Sequence, residues 1–111
     1  MRRLDQYGFF DTLADTPGPA LVFFSAPACG ACRHWRVLLA GFEAGGDAIP
    51  VFEVDAGEDA ALAQAFELFH LPALFLFVDG EYHRPLQCEA SLPRLRAAID
   101  TALALPAEEA P

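Results

Sequence analysis

Residues 20–32 read ALVFFSAPACGAC, and this stretch decides the fold. Its apolar part, residues 21–25, is too short for a helix and predicts a buried strand. Cys29 and Cys32 follow, at the start of a segment with helical periodicity. A cysteine that opens a helix lies near unpaired backbone N–H groups and the positive end of the helix dipole, and both favour the thiolate over the thiol. The second cysteine lies one turn along the same helical face and can close a small disulfide, so the pair predicts a dithiol redox centre.

Composition narrows the class of protein. The chain has 111 residues, enough for one domain with a real core, and 54% of them are hydrophobic, which excludes a disordered chain. The formal net charge of −9 argues against a nucleic-acid partner, because phosphates need a basic surface. No apolar run reaches the roughly 20 residues of a membrane helix, so we expect no membrane partner. The sequence has no lysine, which excludes Schiff-base chemistry.

Cysteine usage points to chemistry rather than to a structural framework. Three cysteines are an odd and sparse set, whereas a disulfide scaffold shows an even and denser one. Zinc normally needs four ligands, and neither a second CxxC nor paired histidines offer them. We therefore expect no metal and no organic cofactor. An iron–sulfur cluster shared by two copies of the chain stays open as the metal-binding alternative.

The first residues bear on the compartment. Arg2 and Arg3 are not followed by an apolar stretch, because Asp5 and Asp11 interrupt it. We expect no secretory signal, and therefore a cytoplasmic protein.

Periodicity and turn residues give the order of the remaining elements. Asp79-Gly80 is a strong hairpin signal, and Pro85 marks the returning strand as an edge. Ser91 is a helix cap with Pro93 in the first turn. The predicted helices cover about 5–14, 31–44, 58–69 (with Leu62, Ala65, Phe66 and Phe69 as its apolar stripe) and 91–103, and the predicted strands cover 21–25, 51–54, 73–78 and 81–84. Strands that alternate with helices predict an α/β domain whose central mixed sheet carries helices on both faces.

These residues resemble the thioredoxin family. The resemblance rests on the cysteine pair at a strand-to-helix turn, on Leu71-Pro72 before a strand, on the later Asp79-Gly80 and on a closing helix. It covers about residues 20–103. It implies a thioredoxin-like domain over 1–105 with about four strands and a short or absent first strand, followed by a flexible acidic tail over 106–111.

The resemblance also assigns roles to single residues. Cys29 would be the nucleophile, Cys32 the resolving thiol and Pro72 a cis-proline. With Pro72, the residues Ala28, Gly30, Ala31 and Leu71 would hold an extended substrate segment. Three positions depart from the family pattern: Ala28 replaces the tryptophan before the first cysteine, Ala31 replaces the proline of the Gly-Pro dipeptide between the cysteines, and Phe23 replaces the buried acid six residues before Cys29.

Three further residues are candidate modulators of the pair. Arg33 lies four residues after Cys29 on the same helical face, where its charge could lower the thiol pKa, although a solvated surface arginine explains it equally well. His70 precedes Leu71 and could lie at the rim of the site, or be a polar helix end. Cys88 falls where the family usually has a glycine, and is either a regulatory thiol or a small buried hydrophobic residue.

The pattern therefore predicts a thiol–disulfide oxidoreductase of thioredoxin type, acting in electron transport and cell redox homeostasis. Its partners would be protein disulfide substrates and a reductase or thiol that supplies electrons, and we expect a monomer. The alternative is a redox-sensing or chaperone-like binding module with little turnover, which the departures at Phe23 and Ala28 favour. The direction of exchange is not fixed by the sequence.

Overall fold

A computed structural model describes residues 1–46 and 49–111. Within these ranges the chain forms nine elements, whose bounds are given together here: β1 Arg2–Arg3, α1 Phe9–Ala14, β2 Pro19–Ser25, α2 Gly30–Ala44, β3 Val51–Asp55, α3 Ala60–Ala65, β4 Ala73–Val78, β5 Glu81–Leu86 and α4 Leu92–Ala104. The predicted alternation of helices and strands is confirmed.

One mixed sheet organises the molecule, in the order β1-β3-β2-β4-β5. The pairs β1–β3 and β2–β3 are parallel, and the pairs β2–β4 and β4–β5 are antiparallel. The sheet has one strand more than the four expected, because Arg2 and Arg3 pair with Phe52 and Glu53 of β3. This first strand is as short as predicted.

The two faces of the sheet carry separate cores, as expected for a sheet covered on both sides. Alternation along β2 sends Phe23 to one face and Phe24 to the other. On the Phe23 face, α2 and α4 pack in a cluster that includes Cys32 and Trp35. On the Phe24 face, α1 and α3 pack against phenylalanines, with Phe9 at 5.6 Å from Phe66 and 5.8 Å from Phe77 between ring centroids. The dithiol helix therefore belongs to the first core.

The hairpin predicted at Asp79-Gly80 is confirmed. Both residues have positive φ, 52° and 82°, as a type I′ turn requires. A Cβ on Gly80 would lie 2.7 Å from the Cα of Ala14, so the turn packs directly against the end of α1. Strand β5, which contains Pro85, lies at the sheet edge as predicted.

The helix predicted over 58–69 is wrong at its C-terminal end, because α3 ends at Ala65. Glu67 adopts positive φ (52°) and donates its N–H to the carbonyl of Gln64, and Leu68 donates to the carbonyl of Ala63. These two bonds form a Schellman ending, in which glycine normally takes the place of Glu67. Since no glycine or proline marks the end of this helix in the sequence, the apolar spacing predicts a helix that is too long.

The first helix also begins later than predicted. It starts at Phe9 rather than at residue 5, because the Asp5 carboxylate accepts hydrogen bonds from the N–H groups of Tyr7 and Gly8. An aspartate that bonds to nearby backbone in this way competes with helical hydrogen bonds.

Helix α4 begins where predicted, with the Ser91 hydroxyl accepting from the N–H of Arg94. After it, Glu108 donates its N–H to the carbonyl of His83 at 2.7 Å and pairs with Arg84 at 2.7 Å. These contacts seat part of the segment 106–111 beside β5. The flexibility of that segment stays a prediction.

Candidate active site

The dithiol lies at the connection between strand β2 and helix α2. Cys29 is the N-cap of α2, with extended backbone, and its Sγ accepts a hydrogen bond from the N–H of Cys32 at 3.1 Å. The two residues form a disulfide, with their Cα atoms 5.2 Å apart. A sulfur in this position takes the place of a capping oxygen and satisfies a helix N–H that would otherwise lack a partner.

The two sulfur-bearing residues differ in exposure. Cys29 is partly exposed, whereas Cys32 is 0% exposed and belongs to the core beneath α2. An incoming substrate can therefore reach Cys29 but not Cys32. The structure thus gives the two cysteines the unequal access that a nucleophile and a resolving thiol need.

The predicted substrate-binding residues lie around Cys29 in two groups. Ala28, Gly30 and Ala31 are exposed beside it on the α2 side. Leu71 and Pro72 are partly exposed and are joined by a cis peptide bond. The small side chains of the first group leave the surface above the disulfide open.

Two adjoining grooves lie on the side of Leu71 and Pro72. The first groove is lined by Cys29, by Ala56 of the β3–α3 connection, and by His70 and Leu71. The second, about 700 Å³ in volume, contains Pro72, Trp35 and Cys88 and again Leu71. The structure therefore brings His70 to the rim of the site and Cys88 into the neighbouring groove, while the roles of both stay predictions.

The other modulators differ in their surroundings. Arg33 is exposed, and its side chain makes no hydrogen bond or ion pair with any residue that the structure describes. Cys88 is half-buried, and burial raises the pKa of its thiol. A thiol with a raised pKa is less ionised at neutral pH and therefore reacts more slowly as a nucleophile. Trp35 is buried, as its place in the apolar stripe of α2 predicts.

Sequence reasoning missed Phe69 as a site residue. The predicted helix places it in a buried stripe, but the early end of α3 leaves it 96% exposed. It lies on the same groove as Cys29, beside Leu68. A stop signal between residues 65 and 69 would have revealed this position, and the sequence contains none.

Sequence reasoning also missed a polar cluster on the Phe23 face. Oε2 of Glu53 accepts a hydrogen bond from Oγ of Ser25 at 2.6 Å and two from Arg36, from Nε at 2.9 Å and from Nη2 at 2.8 Å. Burial alone would raise the pKa of Glu53, but the hydrogen bonds from Arg36 and Ser25, together with the charges of Arg36 and Arg3, hold it below its ordinary value. The one available signal was the single charge within the apolar strand 51–54.

The described residues also bear on metal sites and membrane spans. No group of three or more His, Cys, Asp or Glu side chains that could hold a metal ion occurs in residues 1–46 and 49–111. In the same part of the chain, none of the helices is long and apolar enough to cross a membrane.

Comparison with known proteins connects this geometry to a family. The family model described as Thioredoxin matches residues 1–101. Thioredoxin-like protein slr0233 of Synechocystis sp. is 33% identical over 76 residues, which are 66% of this chain and 70% of that protein. Protein disulfide isomerase-like 1-3 of Arabidopsis thaliana is 40% identical over 72 residues, which are 63% of this chain but only 12% of that longer protein.

Solved structures agree on the architecture. The crystal structure of Chlamydomonas reinhardtii thioredoxin f2 superimposes with a TM-score of 0.80, over 91% of this chain and 94% of that one. The sequence identity of that pair is 17%, so this likeness concerns the fold alone.

Proposed function

Because the chain belongs to the thioredoxin family, we propose that its Cys29–Cys32 pair exchanges electrons with disulfides of protein substrates. One observation carries the proposal. A partly exposed cysteine caps the dithiol helix and is bonded to a fully buried cysteine one turn later. This arrangement supports thiol–disulfide exchange in general, and protein disulfides are the substrate class that an open surface around Cys29 admits.

In the reductive direction the exchange has two steps. The Cys29 thiolate attacks one sulfur of the substrate disulfide, forming a mixed disulfide and releasing the other substrate sulfur as a thiolate, which takes a proton from water. Cys32 then loses its proton to solvent and attacks Sγ of Cys29. The Cys29–Cys32 disulfide forms and the second substrate sulfur leaves. Two electrons pass from the dithiol to the substrate, and a reductase or another thiol must return them.

The proposed substrate segment is extended and partly apolar. The groove beside Cys29 presents Phe69, Leu68 and Leu71, and the open side presents Ala28, Gly30 and Ala31. An apolar side chain next to the substrate cysteine would bury surface against Phe69, at about 25 cal/mol for each Å² removed from water. No cofactor other than the disulfide itself enters the proposed reaction.

The proposed setting is the cytoplasm, where a monomer would serve electron transport and redox homeostasis. The sparse cysteine set supports this compartment, because dense sets of structural disulfides are typical of secreted proteins and rare in cytosolic ones.

Reduction of insulin by dithiothreitol, followed by turbidity, tests the proposal. We expect turnover by the wild-type protein and its loss in Cys29→Ser, while Cys88→Ser serves as the matched control that keeps turnover. Cys32→Ala, which cannot resolve a mixed disulfide, should accumulate adducts through Cys29 that dithiothreitol releases. Absence of turnover in the wild-type protein together with absence of adducts would overturn the proposal.

A redox-sensing or chaperone-like module is the second candidate, and one observation favours it. Phe23 is 0% exposed in the core beneath the disulfide, at the position where the family resemblance implies an acid. A pair without that acid would turn over slowly. Capture of substrate by Cys32→Ala with no insulin turnover by the wild-type protein is the outcome that would favour this module.

A further inference from the structure

Glu53 occupies an unusual position for a carboxylate. It lies in the middle of β3, between the buried residues Phe52 and Val54, and only 15% of its side chain is exposed. Its Oε2 receives all three hydrogen bonds from Ser25 and Arg36. A carboxylate this sheltered needs such partners, because burial of an unpaired charge is costly.

Two members of the cluster come from the elements that flank the dithiol. Ser25 is the last residue of β2, four residues before Cys29. Arg36 lies on α2, one helical turn after Cys32 and on the same face. The strand that precedes the redox pair and the helix that carries it are thus tied together through one carboxylate oxygen of β3.

Strand register places the cluster on the dithiol face of the sheet. Glu53 pairs in register with Phe23, so the two side chains point to the same side, and Ser25 follows Phe23 by two residues on that side. Phe23 packs in the same core as Cys32. The ion pair of Glu53 and Arg36 therefore lies beneath the N-terminal half of α2.

We infer that Ser25, Glu53 and Arg36 form a charge-balanced positioning network that sets how strongly the reduced pair favours a thiolate. The inference rests on the proposed function. Only the reduced pair can carry a negative charge, so a nearby charge acts on the dithiol and not on the disulfide. The Arg36 cation favours the thiolate, the Glu53 carboxylate opposes it, and the bond from Ser25 fixes the carboxylate in place.

Other charged groups surround this end of the molecule. Arg3 on β1 also acts on Glu53 and is bonded to Asp55 of β3, and Arg33 and His34 are exposed on α2. His70 lines the groove that contains Cys29. These groups are unchanged in the variants below, so their contribution cancels in each comparison.

The test removes each charge in turn: Glu53→Gln keeps the shape of the side chain, and Arg36→Gln replaces the guanidinium with a shorter neutral amide. The equilibrium between each protein and the glutathione couple is measured, together with the pH at which alkylation of Cys29 reaches half its maximal rate. Glu53→Gln should shift the equilibrium about three- to tenfold towards the dithiol and lower the pH midpoint. Arg36→Gln should shift it by a similar factor towards the disulfide and raise the midpoint. A tenfold change corresponds to about 30 mV for this two-electron couple.

Shifts of the glutathione equilibrium in opposite directions in the two single variants distinguish charge tuning from a merely structural role. The double variant Arg36→Gln/Glu53→Gln should return to within about twofold of the wild-type protein, because both charges are then absent. Arg84→Gln, which breaks the comparable ion pair with Glu108 at the β5 edge, should leave the equilibrium unchanged. Shifts of the same sign in both single variants, shifts below twofold, or a double variant that adds rather than cancels would overturn the network.

If Glu53→Gln does not fold, the comparison of Arg36→Gln with Arg36→Lys carries the test. The lysine variant keeps the charge and should stay within about twofold of the wild-type protein, and an equal shift in both variants would overturn the inference. The equilibrium with glutathione needs no protein substrate. Failure of the proposed function would show instead as absent insulin turnover in the wild-type protein.

Discussion

Reduction of the Cys29–Cys32 disulfide should lower the free energy of unfolding, by an amount that follows from the size of the ring it closes. The two cysteines are three positions apart, so the loop spans the four residues 29–32. The chain-entropy relation for a loop of this length gives roughly 2 kcal/mol of stabilisation at 25 °C, because the disulfide restricts the unfolded chain.

One interaction in the reduced protein opposes this greater stability of the oxidised form. In the reduced protein, a Cys29 thiolate would keep its place at the N-cap of α2, where its sulfur accepts from the N–H of Cys32 and faces the positive end of the helix dipole. Interaction with a helix dipole typically contributes about 0.3–1 kcal/mol. The oxidised protein should therefore remain the more stable form, by about 1–2 kcal/mol.

Urea unfolding of the oxidised protein and of the same protein held reduced measures the difference directly. With a typical slope of about 1–3 kcal/mol per molar urea, the midpoint should fall by roughly 0.3–2 M on reduction. Cys88→Ser should keep this difference. The double variant Cys29→Ser/Cys32→Ser should show the same midpoint with and without reductant.

A reduced form more stable than the oxidised form would refute this reasoning. It would mean that stabilisation of the thiolate exceeds the loop-closure term, and a pair with that property is a strong oxidant rather than a reductant. The same measurement therefore decides the direction of exchange.

Four further predictions address the core, the turn, the carboxylate and the third thiol. Trp35 packs in the same cluster as Cys32, so its fluorescence should change on reduction, and identical emission spectra would contradict that placement. In Gly80→Ala the new side chain would sit at positive φ and clash with the backbone of Ala14, whereas in Gly46→Ala it would sit at a similar φ (81°) in open space. Both should lose about 1 kcal/mol from strain, and Gly80→Ala should lose a further 1–3 kcal/mol in urea unfolding. Because the pKa of Glu53 is lowered from 4.5, its contribution to stability is present above that pH and is lost as the pH falls below it, so Glu53→Gln should flatten the acid limb of a stability–pH profile. Cys88, whose pKa is raised by burial, should react with N-ethylmaleimide at pH 7 more slowly than Cys29 of the reduced protein. Mass spectrometry follows the labelling, and faster labelling of Cys88 would contradict this prediction and favour a regulatory role.

Some errors of the sequence interpretation have local causes. The stop of α3 depends on Glu67 adopting positive φ, a conformation that glycine or asparagine normally signals. The late start of α1 depends on which backbone groups the Asp5 carboxylate bonds. In both cases the apolar spacing suits a longer helix, and the end is decided by a few hydrogen bonds that the pattern does not show.

The sequence by itself determined the features that depend on neighbours along the chain. Three such features act within a few residues, so their roles can be inferred without the fold: the spacing of Cys29 and Cys32 at a strand-to-helix turn, the turn residues Asp79-Gly80 and the cap at Ser91. The alternation of strands and helices then limited the architecture to a mixed sheet covered on both faces.

Only the tertiary structure decided which distant residues meet. Phe69 shares a groove with Cys29 because α3 ends early and the chain then turns towards the dithiol. Glu53 reaches Ser25 and Arg36 because parallel pairing of β2 with β3 fixes its register opposite Phe23, and a register shifted by one residue would have sent its carboxylate to the opposite face. Such contacts join elements far apart in sequence, and no local spacing encodes them.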